Sequence, residues 1–137
     1  MESLNQEILI LYDINNEIEY NNIINKINSF YMKNRDFHLL IETKHVEKIK
    51  FNYLYKFGNY LNNLKKKSPQ YLKGTIIYVY DDNIFNLLYT LFTYVSSPVA
   101  KVTVIYYNGG YNKNEIKKEL DNIKKIKYYY PHKTKNI

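Results

Sequence analysis

Two adjacent aspartates, Asp81 and Asp82, stand inside the run GTIIYVYDDNIFNLLYTLF of residues 74–92, with apolar residues on either side. Such a pair can hold a divalent cation or support phosphoryl transfer, and the carboxyl end of a strand is where open α/β sheets place their ligands. That chemistry would also want a further acid after the first strand and a lysine after a late one. Asp13 and Lys101 are poor fits, because Asp13 precedes an expected hairpin and Lys101 opens its strand. The competing role is architectural: an aspartate before a helix accepts a bond from an unpaired backbone N–H, a cap worth about 1 kcal/mol. The sequence favours the cap.

The other candidates supply less. His38 alternates with apolar neighbours in a strand pattern and reads as a hydrogen-bonded strand residue, while His45 stands with Glu42 and Glu47 in the loop after it. Neither has a ligand spacing such as H-E-x-x-H. His132 lies in the C-terminal tail. Ser96 and Ser97 lack a G-x-S-x-G elbow and read as a helix end. Asn108-Gly109-Gly110 matches no phosphate-cradling glycine pattern and reads as a turn where positive φ is cheap. With no cysteine, thiolate catalysis, disulfides and cysteine-ligated zinc are excluded. No acid, base and nucleophile converge, so neither enzyme activity nor a cofactor is expected.

The elements that must position these residues follow from hydrophobic spacing. EILILY at 7–12 reads as a strand, and Asn15-Asn16 as a tight turn into a returning strand, EIEY, at 17–20. From Tyr20 the apolar residues Ile23, Ile24, Ile27, Phe30 and Tyr31 recur at helical steps, up to about Arg35-Asp36. FHLLIE at 37–42 is strand-like. Leu54, Phe57, Leu61 and Leu64 mark a second helix, with Lys65-Lys66-Lys67 in its last turn and Pro69 beyond. TIIYVY at 75–80 is a strand, and a helix over about 83–95 buries a broad face built on Ile84, Leu88, Leu91 and Val95. After Ser96-Ser97-Pro98, AKVTVIYY at 100–107 is a strand. A last helix over about 114–127 turns Ile116, Leu120 and Ile123 inward.

The predicted order is β-β-α-β-α-β-α-β-α. It implies a single mixed, mostly parallel α/β sheet opened by a β-hairpin, in one domain over 1–127, with a basic, tyrosine-rich tail at 128–137. A chain of 137 residues, 45% of them hydrophobic, suits one core. Its N-terminus lacks a signal-peptide pattern and no apolar run approaches a membrane span, so a cytoplasmic protein without a transmembrane segment is expected.

The net charge of +7 raises nucleic acid as a partner. Yet Arg35 is the only arginine, and the abundance of lysine, asparagine, isoleucine and tyrosine fits A+T-rich coding pressure. Phosphate and base readers favour the guanidinium fork. The 17 tyrosines fall mostly on strands and core-bearing helices, which argues for packing rather than base stacking; Tyr128-Tyr129-Tyr130 is the exception. Nucleic acid ranks behind a protein partner or an apolar ligand.

This element order resembles the STAS, or anti-sigma-factor-antagonist, fold, over most of residues 7–127. The run YLKGTIIYVYDDNIFNLLYTLFTYVSSPVAKVTVIYY is also similar to the related CRAL-TRIO pattern, with Asn83, Phe85, Pro98 and Lys101 in corresponding places. The STAS resemblance implies a non-enzymatic interaction or regulatory module, with its partner surface on the loop and helix start that hold His45, Lys48, Lys50, Asn52 and Tyr53. The phosphorylatable serine of bacterial antagonists has no counterpart here, since VEKIKFNYLYKFG contains neither serine nor threonine. The CRAL-TRIO likeness implies a lipid or other apolar ligand between the sheet and helix 83–95, although the extra helices that enclose lipid in that family are missing.

Overall fold

Strands and helices alternate along a sheet whose order repeats the order of the chain. The structure, a computed structural model, describes residues 5–106 and 126–129. Its elements are β1 (Gln6–Tyr12), α1 (Glu17–Tyr31), β2 (Phe37–His45), α2 (Phe51–Leu64), β3 (Leu72–Val79), α3 (Asp82–Thr90), β4 (Val102–Tyr106) and β5 (Ile126–Tyr129). A π-helical turn, Leu91–Val95, extends α3. The sheet runs β1-β2-β3-β4-β5, with the first four strands parallel and β5 antiparallel to β4.

Right-handed crossovers that always step in the same direction put the three described helices on one face. The side chains agree. Leu9, Ile41, Ile77 and Val104 form one row across the sheet in register, and each is buried beneath the helices. Ile27 and Phe30 of α1, Leu54, Leu61 and Leu64 of α2, and Ile84 of α3 close over them in one apolar cluster. The alternate residues point to the other face. There Leu40, Ile76 and Ile105 are half-buried, while Ile8, Ile10 and Tyr12 of β1 are exposed.

The opening hairpin is absent. Asn16 caps α1: its side chain accepts from the Glu19 N–H at 2.9 Å, and the Glu19 carboxylate accepts from the Asn15 N–H at 2.8 Å. This pair of bonds is a near relative of the capping box, so the asparagines begin a helix rather than turn a hairpin. EIEY is the first helical turn, and Tyr20 packs inward on Tyr53 with ring centroids 5.6 Å apart. The antiparallel strand is instead β5, at the far edge.

Three other boundaries differ. β2 runs on to His45, since Tyr12 pairs with it beyond an irregularity in the ladder. The α2 helix ends at Leu64, and Lys65 caps it, so the lysines follow the last turn. Ile126 and Lys127, expected to close the last helix, belong to β5, as do Tyr128 and Tyr129 of the expected tail. The rest of that helix, 114–125, the turn Asn108-Gly109-Gly110, Tyr130 and His132 lie outside the described residues.

Candidate functional site

At the carboxyl ends of the parallel strands the chain leaves β1 through Asp13, β2 through Val46–Lys50 and β3 through Tyr80-Asp81. The Asp13 carboxylate fastens the first two exits together, because its Oδ1 accepts from the backbone N–H groups of Glu47, at 2.7 Å, and Lys48, at 3.3 Å. Val46 is buried beneath this turn. The loop is therefore pinned, and α2 starts from a fixed position.

Asp81 is a cap. Its Oδ1 accepts from the Ile84 N–H at 2.9 Å, and its backbone is extended at the helix entry. Asp82 occupies the first turn of α3, where a carboxylate complements the positive end of the helix. Among the described residues no three His, Cys, Asp or Glu side chains gather closely enough to hold a metal ion. Asp13 is committed to the β2 exit, and Lys101 lies just before β4.

The five residues expected to form a partner surface divide. His45, Lys48, Lys50 and Asn52 are exposed around the β2–α2 junction. His45, a strand end rather than a loop residue, stacks on Tyr12, its neighbour in register, with centroids 5.1 Å apart and planes 6° from parallel. Tyr53 is buried and offers no contact surface. It stacks on Tyr20, and Lys56 lies 5.7 Å above both rings while bonding to Glu17 at 2.5 Å. That assembly locks α1 to α2. Burial, with the nearby Glu17 carboxylate adding to it, pushes the Tyr20 hydroxyl up to about 12.

Phe51 and Tyr55 take the place assigned to Tyr53. They are 60% and 52% exposed, and their rings lie 6.4 Å apart on the outer side of α2. The signal was present in the spacing: Tyr53, Phe57, Leu61 and Leu64 follow one helical stripe, which sends residues 51 and 55 to the opposite side. The surface thus combines Tyr12, His45, Phe51 and Tyr55 with the cations Lys48 and Lys50.

Two further features bear on binding. An apolar cavity of about 110 Å³ lies between the sheet and the helices, with Ile41 and Ile77 on its floor and Leu54, Leu88 and Leu91 above. A shallower depression of about 310 Å³ lies between Glu47-Lys48-Ile49 and the α3 residues Asn83, Asn86, Leu87 and Thr90.

The remaining candidates are structural. His38 sits over Gly74, where a β-carbon would come within 2.9 Å of the imidazole. Its buried Nδ1 has no hydrogen-bond partner, contrary to the bonded histidine expected from the pattern. The Ser96 hydroxyl donates to Asn62 Oδ1 at 2.8 Å, and Lys65 Nζ donates to Ser97 Oγ at 2.7 Å, so the two serines fasten the end of the π-helical turn to α2. Among the described residues no helix is long and apolar enough to cross a membrane. No protein-family model, curated protein or solved structure matches the chain.

Proposed function

We propose that this chain is a non-enzymatic, STAS-like protein-interaction module whose contact surface is the β2–α2 junction. The observation that carries this reading is the exposed pair Phe51 and Tyr55 beside Lys48, Lys50, Asn52 and the Tyr12–His45 stack. Tyrosine is enriched among the few residues that carry most of the energy of protein interfaces, and here the exposed rings stand on a junction pinned by Asp13, which keeps the ordering cost of binding low. The cations give the partner's chemistry: an acidic protein surface with a groove or pocket for an aromatic ring. The STAS likeness rests on the strand–helix–strand run through β3, α3 and β4, a unit common to parallel α/β sheets, and the chain departs from that pattern where α1 replaces the opening hairpin. Regulation through a serine on this surface has no support, because residues 46–58 contain neither serine nor threonine.

Affinity capture with the wild-type chain, Lys50→Glu and Tyr55→Ser, followed by calorimetric titration of each recovered protein in purified form, is the test. A partner whose affinity drops at least tenfold with either variant supports the reading. Recovery that is identical for all three baits removes it.

The apolar cavity favours a second reading, binding of a small apolar ligand between the sheet and α3. At about 110 Å³ it is somewhat smaller than an engineered cavity of about 150 Å³ that binds benzene. It accepts a single ring or short branched chain, not a lipid tail. Thermal shift with benzene and isobutylbenzene, and native mass spectrometry of the purified chain, decide it: no shift and no added mass would eliminate this ligand class.

A further inference from the structure

From the free edge of β1 we infer that the chain forms a two-fold symmetric dimer by antiparallel pairing of β1 with β1 of a second copy. This surface meets the β2–α2 junction at Tyr12 but does not depend on that reading.

β1 is the outer strand of the sheet among the described residues. The His38 N–H donates to the Asn5 carbonyl at 2.8 Å, which fixes the polarity of the ladder. Asn5, Glu7 and Leu9 therefore turn their backbone groups toward β2, while Gln6, Ile8 and Ile10 turn theirs outward. Edge strands of monomers are ordinarily protected by lysine, proline or a short length. β1 has seven residues with no lysine, arginine or proline, in a chain that carries 20 basic side chains, and its one charged residue, Glu7, is neutralised by Lys33 at 2.7 Å. Its alternate side chains, Ile8 and Ile10, are 58% and 50% exposed.

Self-complementarity selects the occupant. With the symmetry axis at Leu9, Ile8 of each copy faces Ile10 of the other, both as hydrogen-bonded pairs. Beside the edge runs a groove of about 440 Å³, with Ile8 and Ile10 on the strand side and Glu19, Asn22, Ile23 and Lys26 on α1. Glu19 and Lys26 are two helical turns apart, on either side of Asn22 and Ile23. An antiparallel second copy brings each Glu19 toward the other Lys26, so the charges match twice. A parallel arrangement would instead oppose like charges and would not close.

Sedimentation velocity of the full chain across a concentration series should show a species of twice 16.6 kDa. Ile8→Lys and Ile10→Lys should each weaken dimerisation at least tenfold while circular dichroism remains that of the wild type and melting matches it at dilutions where both are monomeric. Lys26→Glu should weaken it, and raising the salt concentration should narrow the difference from the wild type. Hydrogen exchange supplies a readout independent of substitution: the Ile8 and Ile10 amides should be protected only in the dimer, and the Leu9 amide in both forms. A monomer at all concentrations up to the millimolar range, or a dimer with Ile8 and Ile10 amides unprotected, overturns the inference.

Discussion

Gly58 of α2 lies so close to Val95 that a β-carbon at position 58 would collide with the valine side chain and press on Leu91. The π-helical turn brings Val95 there, and the missing side chain at Gly58 lets the two segments touch. Overpacking of this kind costs about 1–3 kcal/mol, whereas alanine's better helix propensity returns about 1 kcal/mol. Gly58→Ala should therefore lose up to about 2 kcal/mol in urea unfolding. In a double-mutant cycle, adding Gly58→Ala to Val95→Ala should cost nothing further.

Capping by Asp81 gives a prediction that separates architecture from chemistry. Asp81→Ala should lose about 1 kcal/mol of stability, while Asp81→Asn, which keeps the accepting oxygen, should lose little. Magnesium up to millimolar levels should leave the melting temperature of the wild type unchanged. A magnesium-dependent rise abolished by either variant would assign the aspartates a metal instead.

The aromatic residues of α2 should separate into two classes. Tyr53→Ala removes a buried ring that stacks on Tyr20 and should cost about 3 kcal/mol or more. Phe51→Ser and Tyr55→Ser alter exposed rings and should remain within about 0.5 kcal/mol of the wild type. Chemical denaturation of the three variants checks the division between buried and exposed rings.

Alkaline pH should weaken the fold through the buried tyrosines. Burial pushes Tyr31 up to about 12, as it does Tyr20, and raises Tyr60 as well, with smaller contributions from Tyr31 and Tyr20. The ordinary value in an unfolded chain is near 10. The unfolded state therefore loses its protons first, and the stabilisation is complete below about pH 10 and is lost as pH rises toward about 12. Ionisation would also remove the bonds that Tyr31 donates to Gln70 and Tyr60 donates to Asn28, each 2.5 Å long. Urea unfolding between pH 8 and about pH 11.5 should show a decline, shallower in Tyr31→Phe and Tyr60→Phe.

Sequence reasoning found the four parallel strands because each is a short apolar run with branched side chains, and found α2 and α3 from their helical spacing. It missed the start of α1 because four residues, EIEY, fit both periods. The choice is made by Asn16 and Glu19, whose reciprocal bonds begin a helix, and by Tyr20 packing on the distant Tyr53. It missed β5 because Ile126 continues the helical spacing of Ile116, Leu120 and Ile123, whereas pairing with β4 is a tertiary contact that local spacing does not encode. Of the five residues expected on a contact surface, His45, Lys48, Lys50 and Asn52 are exposed and Tyr53 is not: it satisfies the inward stripe of α2, and the same arithmetic turns Phe51 and Tyr55 outward.

The chain-order sheet has a consequence for synthesis. Neighbouring parallel strands are separated by roughly 30 residues, a separation at which loop closure depends only weakly on length. As the polypeptide leaves the ribosome, each new parallel strand finds its neighbour already made, and assembly advances from the N-terminus without waiting for a distant segment. Among the described strands only β5 reverses that direction, so the last of them to be delivered is also the one that doubles back.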